Sequence, residues 1–393
     1  MKRITFPRPR QLWRQVHWFV GITAGTLLML IGLTGAILSF REEITDALNP
    51  GGRQVAPLAR PVLTPPELLA AAQRTWPARA MGTLTVFNEP GAAARAIFAP
   101  QAGQRRGDTV YLDPYTAQPL PSLKGHEFFE TAESLHRWLL LPRAPGRVVA
   151  GVLAFLLLGL ALSGLYVRWP REWRSARAWF AIASHLKGRA LLTRWHVVLG
   201  TVVLPLYLVL TGTGLYWAYD FVRGPVDAWF GAPPRAAARA PAKAEAAPPP
   251  APADLAPAWA AFTRRAQASD GWSQAILRVS GGKQPSVMVT WMDAHPAHER
   301  ARNRMKLSVP GAEVMLDERH SAKSTGERFL AAIYPLHMGS YFGLPGRIAM
   351  LLAALALPVF GVTGWWLYLD RRAKKRKPAA RAARPDGQAA SPV

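Results

Sequence analysis

The stretch Val16–Phe40 reads VHWFVGITAGTLLMLIGLTGAILSF, an apolar run with His17 in its first turn and the pair Thr34-Gly35 near its far end. Crossing the hydrocarbon core of a bilayer takes roughly 20 residues of helix, so the run is long enough to span. The arrangement returns in Trp195–Trp217, WHVVLGTVVLPLYLVLTGTGLYW. There Gly200 follows His196 at +4 and Thr213-Gly214 at +17 and +18, and Gly21 and Thr34-Gly35 fall at the same offsets from His17. One template used twice, with one histidine each time, predicts a duplicated unit.

Two further apolar runs match each other. PGRVVAGVLAFLLLGLALSGLYVRW begins at Pro145 and PGRIAMLLAALALPVFGVTGWWLYLDRR at Pro345. Arg147 is followed at +16 and +17 by Ser163-Gly164, and Arg347 by Thr363-Gly364 at identical offsets. A histidine precedes each run: His136 eleven residues before Arg147, His337 ten before Arg347. The predicted spans are 17–40, 147–168, 195–219 and 346–369. A secretory signal also starts with positive charge, but the first run is long and lacks a small-x-small cleavage site before Arg41, so it reads as a retained span.

The chain has 393 residues and a formal net charge of +24. Its Lys and Arg cluster beside the apolar runs rather than along one polar stripe, which favours membrane topology over nucleic-acid binding. Segments 1–16, 169–194 and 370–393 are all basic and fall on one side if there are four crossings, making that side cytoplasmic. Segments 41–146 and 220–345 then lie in the periplasm. Each is expected to open with an amphipathic helix (65–74 and 254–267) and to continue in strands such as TLTVF, RAIFA, AILRV and SVMVTWM. The Pro/Ala-rich stretch 232–257 reads as a linker. The expected fold is an α-helical membrane protein, a four-transmembrane-helix bundle built from a duplicated unit, with two small α+β periplasmic lobes.

With no cysteine in the chain, disulfides, Fe–S clusters and covalent c-type haem attachment are excluded. The topology puts His17 and His196 at the cytoplasmic ends of spans one and three, and His136 and His337 on the outer side before spans two and four. Repeat-related imidazoles that face each other in a bundle suit the two axial positions of a haem iron. His17 and His196 are therefore the expected ligands of a cytoplasmic-side haem, and His136 and His337 of a periplasmic-side one. Met338 is an alternative axial ligand. Zinc or copper at these histidines lacks the usual carboxylate or thiolate partners. The Ser/Thr-Gly pairs read as sites of close helix packing. His126, His185 and His320 have no repeat partner, and His295 and His298 read as solvated loop residues. No nucleophile-and-base set, phosphate loop or dinucleotide fingerprint is present.

LHRWLLL, GLTGAILSF followed by REEI, and VYLDPYTAQPL together resemble the PepSY-associated transmembrane helix family, whose members include ferric-siderophore reductases of the bacterial inner membrane. The resemblance implies two PepSY-like periplasmic lobes and two bis-histidine haem b groups held by His17, His136, His196 and His337. It also implies electron delivery across the membrane to a ferric siderophore or other Fe(III) chelate, which releases Fe(II). The electron donor is then external or a quinol. Two features depart from the family turn Asp-Pro-x-Thr-Gly: Ala117 stands where the glycine would be, and the second loop carries only LDERHS. Two alternatives stay open: a non-enzymatic protein binding a peptidase or sensor partner, and a permease-like importer of iron or another metal.

Overall fold

A computed structural model describes residues 9–100, 107–183, 185–231 and 250–382. In chain order the helices are α1 (Pro9–Thr23), α2 (Gly25–Ser39), α3 (Arg41–Leu48), α4 (Pro65–Thr75), α5 (His126–Trp138), α6 (Arg143–Arg168), α7 (Ala176–Phe180), α8 (Gly188–Ala218), α9 (Asp220–Trp229), α10 (Ala256–Gln267), α11 (Thr325–Met338) and α12 (Gly343–Ala382). The strands are β1 (Met81–Phe87), β2 (Ala94–Phe98), β3 (Thr109–Leu112), β4 (Gln274–Ser280), β5 (Ser286–Met292), β6 (Asn303–Ser308) and β7 (Val314–Glu318). Contacts divide the chain into two compact units. One comprises Met1–Ser39, Phe129–Arg223 and His337–Val393; the other comprises Phe40–Phe128 and Gly224–Leu336.

The first unit is helical. Among the described residues, α6, α8 and α12 are each long and apolar enough to cross a membrane, and α1 with α2 makes a fourth if the pair counts as one span. The first run is thus not a single straight helix over 17–40: α1 and α2 meet at 60°. The Thr23 hydroxyl donates back to the Phe19 carbonyl at 2.9 Å, and Gly21 and Gly25 flank the break. Back-bonded Thr and paired small residues are recognised causes of helix bending. The helices α6, α8 and α12 each begin before the expected runs 147–168, 195–219 and 346–369, and α8 ends one residue short of its run.

Inside this unit α2 packs along α12, and α6 along α8. Glycine sets both contacts. A Cβ on Gly32 would lie 2.6 Å from the Ala354 carbonyl oxygen, and one on Gly151 would lie 2.5 Å from the Tyr219 ring. Val203, Tyr207, Ala353, Ala356 and Leu357 form a buried cluster between α8 and α12, where the Tyr207 hydroxyl donates to the Ala353 carbonyl at 3.0 Å.

The second unit is an antiparallel sheet in the order β3-β2-β1-β4-β5-β6-β7. Strands from the two long loops therefore do not close two separate lobes; they join in one sheet where β1 pairs with β4, Leu84 opposite Leu277. One face carries the alternating apolar residues Leu84, Val86, Ala275, Leu277, Val289, Trp291, Met305 and Leu307, packed against α4 and α10 in a single core. Alternation in the strands and the i, i+4, i+8 series Ala258, Phe262, Ala266 in α10 bring that core together. Thr64 and Glu67 form a capping box that starts α4. In the turn after β3, the Asp113 carboxylate accepts from the Tyr115 N–H at 2.7 Å, and Ala117 takes the left-handed conformation at φ 59° that explains the glycine of the related motif. Most of the proposed linker 232–257 lies outside the described residues; from Pro252 onward the chain is helical, first as a 3-10 turn and then as α10.

Candidate functional site

The four matched histidines lie in the helical unit and meet in the two expected pairs. His17 of α1 and His196 of α8 have ring centres 6.4 Å apart with planes crossing at 78°. His136 at the end of α5 and His337 at the end of α11 are also 6.4 Å apart, crossing at 72°. Two imidazoles that bind one metal ion from opposite sides, each through a nitrogen at about 2 Å, hold their ring centres about 6.3 Å apart. The 6.4 Å separation of each pair is close to that value.

Each ring is fixed through Nδ1 by a hydroxyl of a Ser/Thr-Gly pair. Nδ1 of His17 contacts Ser163 Oγ at 2.9 Å, and Nδ1 of His196 contacts Thr363 Oγ1 at 2.9 Å. Nδ1 of His337 contacts Thr213 Oγ1 at 2.7 Å, and Nδ1 of His136 contacts Thr34 Oγ1 at 3.3 Å and the Ile31 carbonyl at 3.0 Å.

The direction of these bonds follows from the hydroxyls. Thr34, Thr213 and Thr363 donate to the carbonyls of Leu30, Val209 and Val359 one turn back, at 2.8, 2.7 and 2.7 Å. Ser163 donates to Leu160 at 3.2 Å. With its proton committed to its own helix, each hydroxyl oxygen accepts, so each imidazole donates from Nδ1. At His136 the carbonyl acceptor imposes the same tautomer. All four rings thus carry the proton on Nδ1 and a lone pair on Nε2, and no Nε2 has a hydrogen-bond partner among the described residues. Metal-binding histidines commonly donate their other ring N–H in this way, which fixes ring orientation.

The glycines of these pairs have a second role in two cases. A Cβ on Gly35 would sit 3.0 Å from His136 Cε1, and one on Gly164 would sit 3.2 Å from His17 Cε1. The imidazole therefore lies against bare helix backbone. The Ser/Thr-Gly pairs, read from sequence as helix-packing sites, are histidine-holding sites as well. Sequence carried a signal for this in the constant offsets, +17 from His17 to Thr34 and from His196 to Thr213. What it lacked was the partner, because every hydroxyl serves a histidine from a different helix.

The two sites differ in surroundings. A cavity of about 1050 Å³ adjoins His17 and His196, its wall including Gly21, Gly25, Gly200 and Gly364. Phe360 stands 4.9 Å from the His196 ring. Around the other pair, the Trp217 ring is 5.1 Å from His337. The turn after His136 places Leu139 and Leu140 at φ 53° and 61°, and Gly339 takes φ 77° two residues after His337. The PGR motifs lock these turns: a Cβ on Gly146 would meet the Trp138 carbonyl oxygen at 2.5 Å, and one on Gly346 the Gly339 carbonyl oxygen.

Among the described residues, no group of three or more His, Asp or Glu is placed to hold a metal ion, so the usual zinc set is not assembled. Two neutral imidazoles per site, with a cavity beside His17 and His196, are a donor set that suits a flat macrocycle. The remaining histidines sit elsewhere. His298 and His320, in the sheet unit, are buried with ring centres 5.5 Å apart, a juxtaposition that the sequence did not indicate. His298 Nδ1 accepts from the Arg300 N–H at 3.1 Å, the opposite tautomer to that of the four matched rings. His295 pairs with Asp270 at 3.4 Å in an exposed loop.

Residues 14–371, nearly the whole chain, match the family described as the PepSY-associated TM region, and the chain belongs to that family. It is a membrane protein. No curated protein matches it.

Proposed function

From its membership of the PepSY-associated TM family and its two histidine pairs, we propose that this protein is a haem-containing oxidoreductase of the bacterial inner membrane. It would pass electrons outward to ferric siderophores or other Fe(III) chelates in the periplasm. The observation that carries the reading is the set of four imidazoles, each held as the Nδ1–H tautomer and arranged in two pairs at 6.4 Å.

His17 with His196, and His136 with His337, would hold one haem b each. When bound, the haem supplies a one-electron couple. Two histidines for each haem would leave it no open position for oxygen, which suits electron carriage. At the first pair, Leu28, Leu160, Leu357 and Phe360 in the cavity wall would lower the local dielectric, which with the imidazoles would set the potential. Hard oxygen donors of a siderophore hold Fe(III) far better than Fe(II), so adding one electron to the chelated iron loosens it with no chelator bond broken. Both termini and the basic 169–194 segment lie in the cytoplasm, by the positive-inside bias. An external reductant or a quinol supplies the electrons.

The purified protein tests this directly. The expected result is a Soret band with sharp α and β bands on reduction, and two haems per chain. His17→Ala and His196→Ala should abolish one centre, His136→Ala and His337→Ala the other. A colourless, folded preparation refutes the proposal, and loss of both haems from any single substitution refutes the pairing.

A further inference from the structure

The cavity beside His17 and His196 is lined unevenly. Arg14, Arg168, Arg189, Arg371 and Arg372 all reach it, and no Asp or Glu does. They come from or end all four spanning elements: α1, α6, α8 and α12. Positions along the helices place them at one end. On α8, Arg189 lies two turns before His196, whereas Tyr207 lies three turns after it, about 16 Å further along the axis. On α12 the arginines lie about three turns beyond Phe360, again with Leu357 on the far side. One end of the cavity is therefore cationic, and the other is closed by Leu157, Leu204, Tyr207 and Leu357.

Part of the cationic end is committed to protein. Arg168 donates to the Ala178 carbonyl at 2.9 Å and to Thr201 Oγ1 at 3.2 Å, and Arg189 pairs with Asp370 at 3.2 Å. Arg14, Arg371 and Arg372 make no ion pair among the described residues. Arg14, Arg371 and Arg372 in the wall of a cavity that no Asp or Glu lines, with Arg168 and Arg189 beside them, are a site for a ligand carrying more than one negative charge.

We propose that these arginines, Arg14, Arg371 and Arg372 above all, form a subsite for the two carboxylates of the tetrapyrrole ligated by His17 and His196. This rests on the haem reading above. The subsite sets which way round the macrocycle sits: carboxylate edge at the arginine end, apolar edge toward Tyr207 and Leu357 in the middle of the bundle. The conjugated edge then faces the interior, and the charged edge stays by the interface where desolvating it costs least. The same cations favour the reduced over the oxidised iron, so they raise the potential of this centre.

The test uses the full chain carrying His337→Ala, where only the first pair can ligate, in nanodiscs of zwitterionic lipid. Haem b and its dimethyl ester are titrated separately by Soret absorbance. The ester should bind about tenfold more weakly than the free acid, because charge-assisted hydrogen bonds are lost. Adding Arg371→Gln and Arg372→Gln should bring haem down to the affinity of the ester, leave the ester unaffected, and lower the midpoint potential. Equal affinity for haem and ester in the chain with its arginines intact overturns the subsite, and the cations then serve lipid headgroup phosphates only. That comparison needs no arginine variant to fold. Binding of neither ligand to the folded chain, together with a colourless unsubstituted protein, overturns the haem reading itself.

Discussion

Replacing Thr213 by valine keeps shape and volume but removes the oxygen that accepts from His337 Nδ1 at 2.7 Å. The Nδ1–H is then left without a partner beside the Trp217 ring, which lies 5.1 Å from the imidazole. Stranding a buried donor costs about 1–3 kcal/mol, and each 1.4 kcal/mol is tenfold in a binding constant. Part of that cost falls on the apo protein, so haem affinity at the His136/His337 centre should drop about 10- to 100-fold, the range seen when partners of metal-binding histidines are removed. The centre at His17 and His196 should not change, because Thr363 and Ser163 hold those rings. Haem release to apomyoglobin, followed at both Soret components, measures the two centres separately. Thr213→Ser should restore retention, since it returns the acceptor. Unchanged release from Thr213→Val, or equal acceleration at both centres, refutes the tautomer argument.

Gly32→Ala should lower the melting temperature, since the new Cβ would meet the Ala354 carbonyl at 2.6 Å and Leu357 Cβ at 2.8 Å; overpacking of this kind costs about 1–3 kcal/mol, read by thermal unfolding in detergent. Leu140→Gly should stabilise by about 0.5–1 kcal/mol, because a left-handed leucine at φ 61° carries about 1–2 kcal/mol of strain and glycine returns part of it through chain entropy. Burial holds His298 and His320 below the ordinary histidine value. From that value down to the lowered one the unfolded chain binds more protons, so the sheet unit should lose stability as pH falls below about 6.5, and His320→Gln should flatten the melting-temperature slope between about pH 7.5 and 5.5.

Sequence determined the spans, the pairing of the histidines and the strands of the long loops, because each rests on a local period or a fixed offset. An apolar run of sufficient length has one stable form in a bilayer, and repeated templates place equivalent residues in equivalent positions. Strand β6 was missed: in Asn303–Ser308 only Met305 and Leu307 are apolar, and Arg304 and Lys306 continue the charged character of the preceding loop DAHPAHERAR. The break at Ala24 was also missed, since back-bonding by Thr23 does not alter hydropathy. Two results belong to tertiary structure alone. The loops make one sheet because Leu84 of β1 pairs with Leu277 of β4, and strand edges so far apart in sequence carry no local mark of their partner. The hydroxyls of Ser163, Thr363, Thr34 and Thr213 each face a histidine from another helix, so the tautomer that frees Nε2 exists only once the helices have packed.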